Sequence, residues 1–112
     1  MQRKDEIRLQ HILDEAGEVL QFVKGYSFDG FKKDSKTVHA VLRAIEVMGE
    51  AASKISPEYK NIHSHVPWNQ IVGMRNHLVH VYFDVDYDTV WKTVQEDIPH
   101  LIRIVEELLS KQ

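Results

Sequence analysis

Apolar residues recur every three or four positions along three long segments, and this spacing limits the possible folds more than any other feature of the chain. An α-helix brings residues at such intervals onto one face, whereas a strand requires alternation. The pattern predicts a first helix from about Lys4 to Lys24 with one apolar face, formed by Leu9, Ile12, Leu13, Ala16, Val19, Leu20 and Val23. No segment alternates convincingly, so we predict an all-α protein.

A second long helix is predicted from about Asp34 to Ile55. Before it, Gly25 suits the position just after the first helix, and Phe28 and Phe31 are expected in a connection that covers the end of the bundle. The second half of this helix contains small residues, which would let another backbone approach closely: Gly49, Ala51, Ala52 and Ser53.

Shorter helical segments follow the second helix. Ser56 is a good N-cap, and Pro57 after it suits the first helical position of a short helix. Pro67 is predicted at the same position of the next helix, which carries "WNQIVGMRNHLVH" and should end near His80 to Tyr82. Turn formers mixed with aromatic residues then interrupt the helical pattern.

The last helix is predicted to begin near Asp86 and to contain Pro99. Proline lacks an amide hydrogen, so the helix should kink near Gln95 to Ile98. With the earlier segments this gives an all-α bundle of four to five helices, and a bundle by itself does not specify a function.

Length and composition narrow the class of protein. A chain of 112 residues predicts a single domain over residues 1–112. The absence of cysteine excludes disulfides and thiolate metal sites and is compatible with a reducing cytosol. The start, "MQRKDEIRLQ", is too charged for a signal peptide, and no apolar run approaches the roughly 18 residues of a membrane span. We therefore predict a cytoplasmic protein.

The charge balance limits the ways in which the chain could bind nucleic acid. A net charge of −3 is not typical of a general nucleic-acid-binding protein, which is usually basic. Any chemistry on RNA would therefore need a local positive site. Seven histidines are many for this length, and histidine titrates near neutral pH, so proton transfer is a role to test.

Three aspartates at alternate positions, Asp84, Asp86 and Asp88, begin like a calcium-binding EF-hand loop. The pattern then fails, because Thr89 stands where glycine is needed and Gln95 where a bidentate glutamate is needed. Helix capping by Asp86 and Asp88 explains these residues better, with Asp84 as a turn residue.

The histidines do not form a recognisable metal motif. His63 and His65 are two apart in a predicted loop, and His77 and His80 are three apart on a predicted helix. Neither pair has a fixed third ligand, so we predict no metal and no cofactor. A serine nucleophile is not indicated either, since no serine lies in a Gly-x-Ser-x-Gly turn.

A polar group remains in Arg75, Asn76, His80 and Tyr82. Arginine can hold phosphate oxygens with its planar fork, and histidine can move a proton to or from a ribose hydroxyl. On one ideal helix, however, Arg75 and His80 would lie about 140° apart around the axis and about 7.5 Å apart along it. Two copies meeting at a two-fold interface could bring them together. Alternatively, Arg75 forms a surface salt bridge, Asn76 and His80 finish the helix, and Tyr82 packs.

The segment "RNHLVHVY" has the pattern Arg-x4-His-x-Tyr and resembles the signature of HepT-like toxins in the HEPN superfamily of helical ribonucleases. The similarity extends to "AVLRAIEVMGEAASKI", "VPWNQIVGMRNHLVHVYFDVDYDTVW" and "DIPHL", which cover most of the range from residue 40 to residue 101. This resemblance implies a homodimeric helical bundle that cleaves RNA without a metal ion. It implies Arg75 and His80 as the catalytic pair, with Asn76 beside them.

The same resemblance implies a protein partner, a small MntA-type nucleotidyltransferase antitoxin. In that family the antitoxin transfers AMP from ATP to the motif tyrosine, here Tyr82. A bulky anionic group beside the arginine and histidine would occupy the phosphate site and repel RNA. Two other hypotheses stay open: a helical dimer without nuclease activity that regulates or binds substrate for a nucleotidyltransferase, and a purely structural dimer.

Overall fold

The chain folds into a helical bundle in a computed structural model that describes residues 2–80 and 84–111, with only the backbone of His80. Its helices are α1 (Arg3–Phe22), α2 (Phe28–Lys33), α3 (Ser35–Ser53), α4 (Pro57–Ile62), α5 (Trp68–Val72), α6 (Tyr87–Lys92) and α7 (Ile98–Ser110). The predicted all-α class is confirmed. No helix within the described residues is long and apolar enough to cross a membrane.

The core lies where α1 packs on α3 and α7, and the apolar faces predicted from the sequence line it. Leu9 and Val19 of α1, Ile45 and Met48 of α3, and Leu108 of α7 are almost fully buried. Removal of such side chains from water is the main favourable term in folding. The long helices therefore form because each needs the others to cover its apolar face.

A buried carboxylate joins the start of α1 to the start of α4. Asp5 is only 2% exposed, and its two oxygens accept hydrogen bonds from the Ser56 amide at 2.8 Å and the Ser56 hydroxyl at 2.7 Å. The Ser56 hydroxyl oxygen in turn accepts from the Tyr59 amide at 3.2 Å, which confirms Ser56 as an N-cap. Buried polar groups need such partners, so the network fixes where α4 begins.

The connection after α1 differs from the prediction. Gly25 does adopt a left-handed conformation, with φ of 82°. Phe28 and Phe31, however, belong to the short helix α2, because the Ser27 hydroxyl accepts a hydrogen bond from the Gly30 amide at its first turn. Phe31 is fully buried and packs on the ring of Trp91 at 5.1 Å between centroids.

The helix predicted from Pro67 to His80 or Tyr82 is wrong. Pro67 is the N-cap residue, and α5 ends at Val72. A 3₁₀ turn over Met74–His77 follows, and then a two-residue strand, β1 (Val79–His80), which pairs antiparallel with β2 (Asp84–Val85). The predicted end at Tyr82 lies outside the described residues. The β-branched residues Val79 and Val85, which are paired with each other, suit this extended backbone.

The sequence predicts a kink near Gln95 to Ile98, and at this place the structure has an irregular turn next to Pro99. Helices α6 and α7 are continuous through one wider π-helical turn over Thr93–Asp97. Pro99 cannot donate the hydrogen bond that would end at the Gln95 carbonyl, and the wider turn accommodates this loss.

Small residues in α3 allow the close approach that the sequence predicts. A Cβ atom built on Gly49 would lie 2.8 Å from the Val72 carbonyl oxygen at the end of α5. Real Cβ atoms do not approach backbone oxygen so closely, so Gly49 is required for this packing. The contact fixes the chain just before the 3₁₀ turn that carries Arg75.

Candidate active site

Arg75 lies on the 3₁₀ turn and faces α3. Its Nε atom is 3.6 Å from Oε2 of Glu46, and the two side chains are 39% and 42% exposed. Half-exposed ion pairs of this kind contribute only about 0–1 kcal/mol to stability. The pair with Glu46 therefore holds Arg75 only loosely.

The position of Arg75 follows from the packing around it. Gly49 lies three residues after Glu46 in α3, almost one turn away, and lets the end of α5 rest on the helix. Leu78, three residues after Arg75, is fully buried, and its carbonyl oxygen accepts a hydrogen bond from the Asp86 amide at 2.9 Å. These contacts hold both ends of the turn, so the arginine is presented by a fixed backbone.

The structure changes the geometric argument about Arg75 and His80. The residues from Arg75 to His80 do not form one α-helix, because the 3₁₀ turn ends at His77 and His80 lies in β1. The separation calculated for an ideal helix therefore does not apply. Asn76 is exposed beside Arg75. The side chain of His80 and the whole of Tyr82 lie outside the described residues.

Two of the three aspartates after the motif lie at the start of α6, and the third lies in a strand. Asp86 caps α6, with its carboxylate accepting a hydrogen bond from the Thr89 amide at 3.1 Å, and Asp88 lies in the first turn, as predicted. Asp84 was predicted as a turn residue, and this is wrong: it lies in β2 opposite His80. The alternation in "YFDVD" that favours an extended backbone is the signal for this strand.

The other histidines have separate environments. The ring of His63 stacks on Tyr59 at 4.4 Å and lies 5.9 Å from the ring of His65. Burial, then the neighbouring His65 and Lys111, lower the pKa of His63 below its usual value. His77 and His80 do not share a helix face. Among the described residues, no group of three or more His, Cys, Asp or Glu side chains could hold a metal ion.

A cleft of about 460 Å³ that the sequence does not predict lies next to the 3₁₀ turn. His77 from the turn, Lys92 from α6, Asp97 from the π-helical turn and His100 from α7 line it. A partial signal was present, since Thr93, Asp97, His100 and Ile104 follow one another at helical spacing. What the sequence could not supply is the opposite wall, which depends on how α5 packs.

The HepT-like ribonuclease family accounts for nearly the whole chain. Its family model, described as "Ribonuclease HepT-like", matches residues 12–108, a range that includes the Arg-x4-His-x-Tyr motif. The chain therefore belongs to the HepT-like ribonuclease family. The enzyme class predicted from the sequence, a ribonuclease, is confirmed at this level.

Individual relatives agree with this family. The chain is 42% identical to a Caldanaerobacter subterraneus RNase, TTE0752, over 93% of each chain. It is 39% identical to a ribonuclease HepT of Thermococcus cleftensis over 96% of this chain and 98% of that one. An RNase of Methanocaldococcus jannaschii, MJ1380, is 39% identical over 88% of this chain and 90% of that one. The names of all three assign ribonuclease activity by inference. A search of the solved structures found no match.

Proposed function

We propose that this protein is the toxin of a toxin–antitoxin system and cleaves RNA internally without a metal ion. The observation that carries the proposal is the family match, which spans the complete motif from Arg75 to Tyr82. The half-exposed, loosely paired arginine at the start of that motif supports it, because a phosphodiester needs a cation that can be reached.

The chemistry uses groups that the RNA and the protein both supply. Arg75 binds the oxygens of the scissile phosphate and stabilises the negative charge that develops there. His80 accepts a proton from the ribose 2′-hydroxyl, which attacks the neighbouring phosphorus while the bond to the 5′-oxygen breaks. The leaving 5′-oxygen takes up a proton from water, and a 2′,3′-cyclic phosphate remains. Asn76 orients the histidine or binds the phosphate.

A homodimer would place two such motifs next to each other at the interface between the copies. A two-fold interface presents the same surface twice, so Arg75 of one copy can lie near His80 of the other. The net charge of −3 makes this local concentration of cationic groups important, because the surface as a whole does not attract RNA.

Control of the toxin would come from an MntA-type nucleotidyltransferase antitoxin that transfers AMP to Tyr82. Three other tyrosines are alternatives, and each of them is buried or makes contacts within the structure. Tyr59 is only 5% exposed, and the Tyr26 hydroxyl donates a hydrogen bond to Asp34. Tyr87 is half-buried, with Lys32 over its ring at 5.8 Å.

Mass spectrometry of the intact protein after incubation with antitoxin and ATP tests the tyrosine. We expect AMP addition to the wild type and to Tyr87→Phe, the matched control, and none to Tyr82→Phe. Undiminished addition to Tyr82→Phe would reject the assignment while leaving the nuclease proposal intact.

The nuclease proposal is tested with His80→Ala, and His11→Ala on the exposed face of α1 is the matched control. We expect His80→Ala to keep the circular dichroism and dimeric mass of the wild type but to lose RNA cleavage and growth inhibition. His11→Ala should retain both. Equal cleavage by a correctly folded His80→Ala protein would refute the proposal. No cleavage by the wild type, together with an altered transfer rate of the antitoxin, would favour the regulatory dimer instead.

A further inference from the structure

The cleft beside the 3₁₀ turn lies apart from the Arg75–Glu46 pair. In a 3₁₀ helix, residues three apart share a face, which explains why both Met74 and His77 line the cleft. Arg75 does not line it and pairs with Glu46 of α3 instead. The motif arginine and the cleft therefore occupy different sides of the same turn.

The opposite wall comes from the π-helical turn. Thr93 and Asp97 are the first and last residues of that turn, and both line the cleft. One helical turn of this width is uncommon, and such turns often occur at functional sites. Here the wider turn and the 3₁₀ turn, two irregular parts of the backbone, face each other across one cavity.

The lining has the composition of a small-molecule site. Ile71, Leu101 and Thr93 are buried and form the floor, whereas the exposed rim is polar: Gln70, His77, Lys92, Asp97 and His100. Within residues 2–80 and 84–111, these rim side chains make no hydrogen bond or ion pair. An apolar floor with a few convergent polar groups and a volume of about 460 Å³ is typical of ligand pockets.

Charge indicates the kind of ligand. The rim has one ammonium group and two imidazoles against one carboxylate, so it does not share the acidic balance of the whole chain. Lys92 can bind a phosphate, and the imidazoles of His77 and His100 can stack on a flat ring. Asp97 and Gln70 can pair with the amino and carbonyl groups at the edge of a base.

We propose that this cleft binds one nucleotide, with its base over the apolar floor and its phosphate at Lys92. The nucleotide is either a free mononucleotide or one residue of the RNA chain, and only the second case rests on the proposed nuclease function. In that case the cleft holds a residue of the RNA away from the phosphate bound at Arg75, because the two sites lie on different sides of the same turn.

Titration of the purified full-length protein with each of the four 5′-mononucleotides tests the cleft, with ribose 5-phosphate and inorganic phosphate as probes that lack a base. We expect at least one mononucleotide to bind more tightly than either of these probes and to shift the amide resonances of Met74, His77 and Asp97. Lys92→Gln should weaken binding about tenfold, since a charge-assisted hydrogen bond is lost. Lys36→Gln, on the exposed face of α3, is the matched control.

A second pair of variants shows whether a loss of nucleotide binding is caused by misfolding. His100→Ala removes an exposed rim group and His11→Ala an exposed group elsewhere, so both should unfold at the wild-type temperature. Only His100→Ala should weaken nucleotide binding. No mononucleotide binding, or binding that Lys92→Gln and His100→Ala leave unchanged, would overturn the proposal.

Cleavage of a short single-stranded RNA separates the two sources of the nucleotide. If the cleft holds a residue of the RNA, Lys92→Gln should raise KM or change the preferred cleavage site, and Lys36→Gln should not. Mononucleotide binding with unaffected cleavage identifies a free nucleotide as the ligand and supports the cleft. Mononucleotide binding without any cleavage by the wild type would refute the nuclease while leaving the cleft supported.

Discussion

The three-helix core and the segment from Pro67 to Lys92 are organised in different ways. In the core, helices of 13 to 20 residues bury continuous apolar faces against each other. In the segment, helices of five and six residues, a 3₁₀ turn and two-residue strands follow one another. Short elements do not form alone, so their geometry is set by contacts with the core. The core gives stability, and the segment that depends on it presents the motif.

The largest difference between the two regions should appear in stability. Ile45→Ala in α3 removes a side chain that is 1% exposed, whereas Val72→Ala at the end of α5 trims one that is 39% exposed. We expect Ile45→Ala to lower the free energy of unfolding by about 2–5 kcal/mol. Val72→Ala should change it by less than about 1 kcal/mol. Urea unfolding measures both, and equal losses would contradict the contrast.

The contact between the two regions should respond next. Gly49→Ala places a Cβ atom against the Val72 carbonyl oxygen, and a backbone neighbour cannot move aside cheaply. We expect the free energy of unfolding to fall by about 1–3 kcal/mol. The rate of RNA cleavage should fall by more than this loss of stability explains, because the turn carrying Arg75 shifts.

Gly17→Ala in α1 is the matched control for Gly49→Ala. A Cβ atom at Gly17 meets nothing within 4 Å, so alanine should stabilise the helix by about 0.5–1 kcal/mol. If both variants gained stability and retained cleavage, α5 would not depend on the close approach at Gly49.

A smaller effect is expected at the ion pair. Glu46→Gln removes the carboxylate beside Arg75 and should change stability by no more than about 0.5 kcal/mol, because both side chains are half-exposed. RNA affinity should rise, since the glutamate no longer competes with phosphate for the arginine. Glu50→Gln, exposed one turn further along α3, is the control for charge alone. Lower RNA affinity in Glu46→Gln would mean that the pair positions Arg75 for binding.

The smallest effect concerns pH at the loop between α4 and α5. Burial, His65 and Lys111 lower the pKa of His63 in the folded protein, so the unfolded chain binds the proton more strongly. Stability from this site is therefore complete above the ordinary pKa of 6.5 and is lost as the pH falls below it. His63→Gln should flatten this dependence slightly in unfolding measurements between about pH 5 and 7. An unchanged profile would show that His63 has no such effect.

The sequence predicted the core better than the segment, for physical reasons. Periodicity and capping are local, so the long helices and the caps at Ser56 and Asp86 could be predicted. The end of α5 could not, because it depends on Gly49 and on the burial of Leu78, both set by packing. Asp84 was misplaced for the same reason, since its strand exists only through pairing with β1.

The candidate site shows the same division. The sequence motif predicted Arg75 and Asn76 as site residues, and the structure places both on an accessible turn. The cleft formed by His77, Lys92 and His100 was missed, because these residues come from three separate elements. Residues that meet only through the tertiary fold cannot be grouped from the spacing in one segment.

The central claim, cleavage of RNA by attack of its own 2′-hydroxyl without a metal ion, is tested most directly by the ends of the products. A purified wild-type protein and its Arg75→Ala variant are incubated with a single-stranded RNA in excess EDTA, and the fragments are analysed by mass spectrometry. We predict fragments with 2′,3′-cyclic phosphate and 5′-hydroxyl ends from the wild type and none from the variant. Absence of cleavage in EDTA, or fragments with 5′-phosphate ends, would contradict the mechanism.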